Sequence, residues 1–171
     1  MLRIEPVSSN EQVALVRELL REYAAEFSAD PSFHNFDREL RELPGKYAPP
    51  AGRLLLAYHY NDAKSAHPSG CGALRPLSSE ICEMKRLYVR PEFRAYGIGR
   101  ALACALIAAA REIGYRAMRL DTLGSMHQAH KLYRHLGFQE IPAYYGEPVE
   151  GVRYLELDLS KPLSSEKVER T

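Results

Sequence analysis

Residues 87–102 read Leu-Tyr-Val-Arg-Pro-Glu-Phe-Arg-Ala-Tyr-Gly-Ile-Gly-Arg-Ala-Leu and hold the chain's clearest chemical pattern. Leu87, Tyr88 and Val89 form the end of a strand, and Pro91 stops it because proline has no N–H for a ladder. Arg94, Ala95, Tyr96, Gly97, Ile98, Gly99 and Arg100 then form a short basic loop that runs into a helix. Gly97 and Gly99 allow a sharp turn and a close approach of backbone to a ligand. Unpaired N–H groups at a helix start, with the positive end of its dipole, favour an anion. Arg94 and Arg100 flank that point, and guanidinium groups suit phosphate. Two common phosphate loops do not fit. A dinucleotide fingerprint needs Gly or Ala where Leu102 stands, and no Gly-Lys-Ser/Thr run occurs.

Other candidate groups are sparser. Glu83 lies on a strand before the loop, and Tyr133 lies on a later apolar helix face. Phe33, His34 and Phe36 make an aromatic cluster that reads either as core or as the lid of an acceptor site. His127 and His130 are three apart, but no third ligand with metal-type spacing accompanies them, so no metal is expected. Cys71, Cys82 and Cys104 each sit in apolar surroundings and read as reduced core residues.

The elements that position these groups follow from periodicity. Leu2 to Val7 reads as a strand. A helix capped at residues 8–10 buries Val13, Val16, Leu19, Leu20, Tyr23 and Phe27 and breaks at Asp30-Pro31. Phe33 to Leu43 suggests a second short helix. Strands are expected at Arg53 to Tyr60 and Gly70 to Leu74, joined by the polar stretch Asn61 to Ser69. In the next strand Cys82 and Met84 share one parity, whereas Leu87 and Val89 have the other. One inserted residue near Lys85-Arg86 restores a single apolar face, which is how a β-bulge reads. Glu83 and Tyr88 then share the opposite face.

Ile98, Leu102, Leu106, Ala109 and Ile113 mark a long helix that Gly114 ends. Arg116 to Leu123 is a strand. Ser125 to Gln128 reads as a capping box for a helix carrying Ala129, Leu132, Tyr133 and Leu136, which stops at Gly137. After a Tyr144-Tyr145 loop, Gly151 to Leu159 is the last strand. This order gives a mixed α/β domain over residues 2–160, with a flexible tail over 161–171.

With 23 basic and 22 acidic side chains, the net charge is +1, which offers nothing to nucleic acid or an anionic membrane as bulk partner. No apolar run reaches membrane-spanning length, and no leader-like run follows Met1-Leu-Arg-Ile-Glu-Pro, so a cytoplasmic protein is expected.

Arg94-x-x-Gly97-x-Gly99, followed by Ala129-x-x-Leu132-Tyr133-x-x-x-Gly137-Phe138, resembles the GNAT superfamily of acetyl-coenzyme A-dependent N-acetyltransferases. The resemblance covers about residues 2–160. It implies a central, mostly antiparallel sheet flanked by helices, with a splayed, bulged strand. It also implies acetyl-CoA as cosubstrate, bound by residues 94–100 and along Leu87, Tyr88 and Val89, an amine acceptor, and room for a homodimer. The family often has an Asn contacting the cofactor where this chain has Met126. The motif places Tyr133 near the cofactor sulfur, as the acid for the leaving thiolate. An amine with a pKa of about 10.4 is neutral in roughly one molecule in 10³ at pH 7, so a base must take its proton. Glu83 beside the bulge is the candidate, although it reads equally as a surface carboxylate. A non-catalytic acyl-CoA sensor or interaction module is the alternative function.

Overall fold

A computed structural model of the chain describes residues 1–27, 33–61 and 65–163. The expected break at Asp30-Pro31 and residues 164–171 of the expected tail lie outside them. Strand β1 (Leu2–Pro6) leads into helix α1 (Asn10–Glu26). Ser9 caps α1: its hydroxyl accepts from the Gln12 N–H at 3.2 Å, while the Gln12 side chain accepts from the Ser9 N–H. Helix α2 (Phe36–Glu42) and a single 3-10 turn (Gly45–Tyr47) follow. Strands β2 (Arg53–Tyr60), β3 (Ala66–Pro76) and β4 (Ile81–Val89) form an antiparallel meander. A 3-10 segment (Pro91–Tyr96) then enters helix α3 (Ile98–Ile113). Strand β5 (Ala117–Leu123), helix α4 (His127–Leu136) and strands β6 (Gln139–Ile141) and β7 (Val152–Asp158) complete the order.

The strands make one seven-stranded sheet, ordered β1-β2-β3-β4-β5-β7-β6. Every neighbouring pair is antiparallel except β4 and β5. Helices cover both faces. On one side α3 and α4 bury Leu102, Leu106, Tyr133 and Leu136 against Leu55, Leu74, Met84 and Leu120. On the other side α1 and α2 bury Leu19, Leu20 and Leu40 against Leu54, Leu56, Cys71 and Tyr88. The Leu54-Leu55-Leu56-Ala57 run is apolar throughout because β2 is buried on both faces. Each leucine removed from water there contributes roughly 1.5–3 kcal/mol.

Two expectations need correcting. Strand β3 is longer than Gly70 to Leu74, because its first residues pair with Tyr58 to Tyr60 and draw the polar hairpin stretch into the ladder. The Ser125 capping box does not form: α4 starts one residue later, with Met126 at the cap position and no side-chain cap. There the Ser125 carbonyl accepts from the His127 N–H.

The parity break does mark a bulge. Opposite β3, Cys71 pairs with Tyr88 but Ala73 pairs with Lys85, so β4 holds one extra residue. Arg86 occupies it at φ +60°, a left-handed value that side chains rarely adopt. Cys82, Met84, Leu87 and Val89 thereby all pack on the α3 side. Beyond the bulge, β3 and β4 come unusually close at Gly70, where an added Cβ would meet the Tyr88 carbonyl oxygen at 2.5 Å. Gly70→Ala should therefore lower stability by roughly 1–3 kcal/mol. A thermal melt checks this, at about 2–4 °C per kcal/mol for a domain of this size. An unshifted midpoint would show that the β3–β4 contact yields freely.

Candidate active site

β4 and β5 pair only from Ile81 to Glu83, against Ala117 to Arg119. Past that point the strands part, and the β5-facing edge of residues 84–89 has no strand partner among the described residues. A cavity of about 80 Å³ opens in the gap. Met84, Leu87, Thr122, Met126, Ala129 and Tyr133 are among its walls. Sequence reasoning put Leu87, Met126 and Tyr133 near one ligand, and the fold brings these three together. Because α3 and α4 follow two parallel strands, both start at the same edge of the sheet.

Neither start is capped by a side chain, in contrast to α1. Gly97 takes φ +71° between the 3-10 segment and α3, a turn that favours glycine. The first bond within α3 runs from the Ala101 N–H to the Gly97 carbonyl at 3.1 Å, so the preceding amides have no acceptor in the helix. Gly99 is not required by the fold: a Cβ there would make an ordinary 3.7 Å contact with Val89. Ala95, Tyr96 and Arg100 are exposed along the loop, whereas Ile98 is buried in the core. Tyr96 lies against His59, ring centroids 4.6 Å apart. Arg94 is engaged elsewhere, donating to Glu26 at 2.6 Å and to the Val89 carbonyl at 3.0 Å. The Val89 side chain packs with the α3 core, while the Tyr88 ring turns to the opposite face and stacks on Tyr23 at 5.3 Å.

Tyr133 is buried, and its hydroxyl has no hydrogen-bond partner among the described residues. Burial first, then the charge of Asp121, pushes its pKa well above the ordinary value. The phenol therefore holds its proton at neutral pH.

Glu83 does not line this cleft. It lines a second, larger cavity of about 490 Å³ under α2. Its side chain is fully buried, accepting from Arg75 Nε at 2.9 Å and from the Tyr144 hydroxyl at 2.5 Å. The surface-carboxylate reading of Glu83 is thereby excluded. Lys85, Arg86 and Asp121 line both cavities and so form the wall where they meet. Lys85 Nζ and Asp121 pair at 3.1 Å across the strand gap, and the Tyr145 hydroxyl donates to the same carboxylate. Both loop tyrosines thus clasp carboxylates of the site.

Arg86 is almost wholly buried and donates to Glu39 from Nε at 3.0 Å and Nη2 at 2.7 Å. Its guanidinium also lies against Phe33 and Phe36, at 4.9 and 5.2 Å from the ring centroids. The aromatic cluster is thus a seat for Arg86, while His34 reaches the larger cavity.

Sequence reasoning missed Asp121, Lys85, Arg75 and the Arg86–Glu39 pair. Asp121 falls on the odd parity of β5, which reads as solvent-facing until Lys85 and Tyr145 cover it. The histidines gather no ligand set: His130 meets the Leu123 carbonyl at 3.0 Å and His135 the Lys131 carbonyl at 2.7 Å. Among the described residues no group of His, Cys, Asp and Glu is arranged to hold a metal, and no helix is long and apolar enough to cross a membrane. Burial pushes the Cys71 and Cys82 thiols up to about 12, so neither is a nucleophile at neutral pH.

Burial alone would raise the Glu39 carboxyl. The Arg86 charge and its hydrogen bonds, with Tyr47 and Lys46, outweigh that and hold the group below its ordinary value. Such a depressed carboxylate stabilises the fold fully above its unfolded pKa, about 4.3, and the contribution is lost as pH falls through the folded value. Glu39→Gln should cost on the order of 3 kcal/mol at pH 7, because it strands the buried Arg86 charge. The gap from the unmodified protein should narrow as pH falls below about 4. Thermal midpoints of both proteins from pH 7 to pH 3 check this. A gap that stays constant would mean the carboxylate charge contributes nothing.

Comparison with known proteins agrees with this geometry. Residues 14–138 match the model of the Acetyltransferase (GNAT) family. An uncharacterized N-acetyltransferase of Schizosaccharomyces pombe is 40% identical over 146 residues, 84% of this chain and 86% of that protein. Another, from Escherichia coli K12, is 30% identical over 131 residues, 74% of this chain and 75% of that protein. Among solved structures, a GNAT acetyltransferase of Staphylococcus aureus Mu50 superposes with a TM-score of 0.76 at 17% identity, over 93% of this chain and 99% of that one. A GNAT acetyltransferase of Elizabethkingia anophelis, solved with acetyl-CoA bound, gives 0.64 at 25% identity, over 92% and 97%.

Proposed function

Because the chain belongs to the GNAT acetyltransferase family, we propose that it moves an acetyl group from acetyl-CoA to a primary amine by direct attack with both substrates bound. The carrying observation is the shared wall. A narrow cleft of mixed polar and apolar lining and a roomier, charged cavity meet at Lys85, Arg86 and Asp121. Such a pair of chambers can hold a thioester arm and an amine in line, and alignment of two reactants removes much of the entropic barrier to their reaction.

In this reading the uncapped start of α3, from Gly97 to Arg100, takes the pyrophosphate on backbone N–H groups. Arg100 stands exposed there to add charge, and Arg94 does so if it exchanges Glu26 for phosphate. The unpaired edge of residues 84–89 offers hydrogen bonds to the pantetheine amides and a backbone N–H to polarise the carbonyl. The acceptor amine enters from the larger cavity and attacks the thioester carbon. The C–N bond forms as the C–S bond breaks. Glu83, through water, receives the proton that the amine loses. The Tyr133 phenol gives its proton to the departing thiolate and regains one from solvent. Acetyl transfer itself needs no metal, since the thioester is already activated.

Tyr133→Phe tests this directly. The ring and its packing remain, so the thermal midpoint and the acetyl-CoA affinity should hold. Loss of a positioned acid should lower kcat by about 10²–10⁴. Thiol release from acetyl-CoA with a panel of amines is the assay. Near-normal turnover with an unshifted melt would remove Tyr133 from the chemistry and leave its motif as packing.

A further inference from the structure

The larger cavity carries a charge imbalance that acetyl transfer as such does not require. At its mouth Arg38 and Glu42 pair with each other at 2.7 Å. Inside, four cations face three carboxylates. Lys85 pairs with Asp121 at 3.1 Å and Arg75 with Glu83 at 2.9 Å, while Arg86 and Lys46 share Glu39, at 2.7 and 3.3 Å. One positive charge is left over in a cavity that both Lys46 and Arg75 line. Arg75 engages Glu83 through Nε alone, and neither of its Nη nitrogens has a partner among the described residues. Its side chain is 31% exposed and Lys46 is 44% exposed, both into this cavity. The Lys46 ammonium is pushed down chiefly by burial, against the pull of Glu39, and the positive charges of Arg75 and Arg86 push it down further. The two cations are thus near enough to repel, a strain that a bound anion relieves.

Resting on the acetyl-transfer reading of this site, we infer that the acceptor is a free α-amino acid, its carboxylate held by Arg75 and Lys46 and its amine placed at Glu83. An open guanidinium edge is the group that best matches a carboxylate. The spacing sets the class. Arg75 and Glu83 touch, so the sites for anion and amine are adjacent, and only a short bridge between carboxylate and amine fits both. An α-amino acid has that bridge. The ε-amine of a protein lysine has no carboxylate within reach, and a polyamine would add charge to a cavity already positive.

The test is calorimetry of the CoA-saturated enzyme with the common free amino acids and with their C-terminal amides, run beside thiol release with acetyl-CoA on the same compounds. The preferred amino acid should bind about 10–100-fold more tightly than its amide, the loss expected when a charge-assisted contact is removed. Lys46→Gln should erase most of that difference by raising the KM for the amino acid, with the KM for acetyl-CoA unchanged and kcat within about twofold. Equal or better binding of amides, or no binding of any free amino acid, would overturn the inference. Thiol release that ignores the carboxylate would overturn it too while leaving acetyl transfer standing. Carboxylate-selective binding without thiol release would keep it and overturn acetyl transfer.

Discussion

A strand in the middle of a sheet is held on both edges, whereas a cleft needs one edge left open. β4 meets both demands with one extra residue. Up to Glu83 it pairs with β3 and β5; past the bulge, among the described residues, it pairs with β3 alone. The extra residue is Arg86, held at a backbone conformation that costs energy for anything but glycine. Glu39 stabilises it with two hydrogen bonds, the adjoining rings of Phe33 and Phe36 lie against its guanidinium, and the Cys71 thiol donates to its carbonyl at 3.7 Å. Removing either member of the Arg86–Glu39 pair therefore acts on more than one ion pair. It frees the bulge, and with it the separation of β4 from β5 on which both cavities depend.

The two cavities share a charged wall but differ beyond it. Methionine, leucine and alanine side chains line one part of the cleft, Lys85, Arg86 and Asp121 another, and the Tyr133 phenol keeps its proton there because burial disfavours the phenolate. The larger cavity is crowded with ion pairs, most of them sheltered from water. Buried pairs of this kind contribute little net stability once desolvation is counted. Their value lies in position. Lys85 and Asp121 tie β4 to β5 where the ladder has ended, and Asp121 with Glu83 draws in the Tyr144-Tyr145 loop. The loop that closes the site is thus fixed by the carboxylates it covers.

Much of this was legible in the sequence where the signal is local. The parity switch between Met84 and Leu87 located the bulge to the residue pair that contains Arg86. The glycines at 97, 114 and 137 marked helix boundaries, and all three take positive φ. What stayed hidden depends on chain segments far apart. Glu39 lies 47 residues from Arg86, and Lys85 lies 36 from Asp121, so no window along the chain shows either pair. Glu83 read as well for a surface residue as for a site, because one of the groups that meet its carboxylate, Tyr144, lies 61 residues away. The Ser125 box failed for a related reason. Its residues have the right types, but the chain turns through the Leu123 carbonyl and reaches helical geometry one residue too late.

The central claim is that the gap between β4 and β5 and the start of α3 receive the coenzyme. Hydrogen exchange of backbone amides, followed with and without saturating CoA, tests it without any substitution. Amides beside an unpaired strand edge and at an uncapped helix start exchange readily until a ligand takes their place with water. The account predicts new protection at residues 84–89 and 97–100, with smaller changes at 120–126 and none in β1, β2 or β6. Protection confined to other segments, or none at saturating CoA, would contradict it.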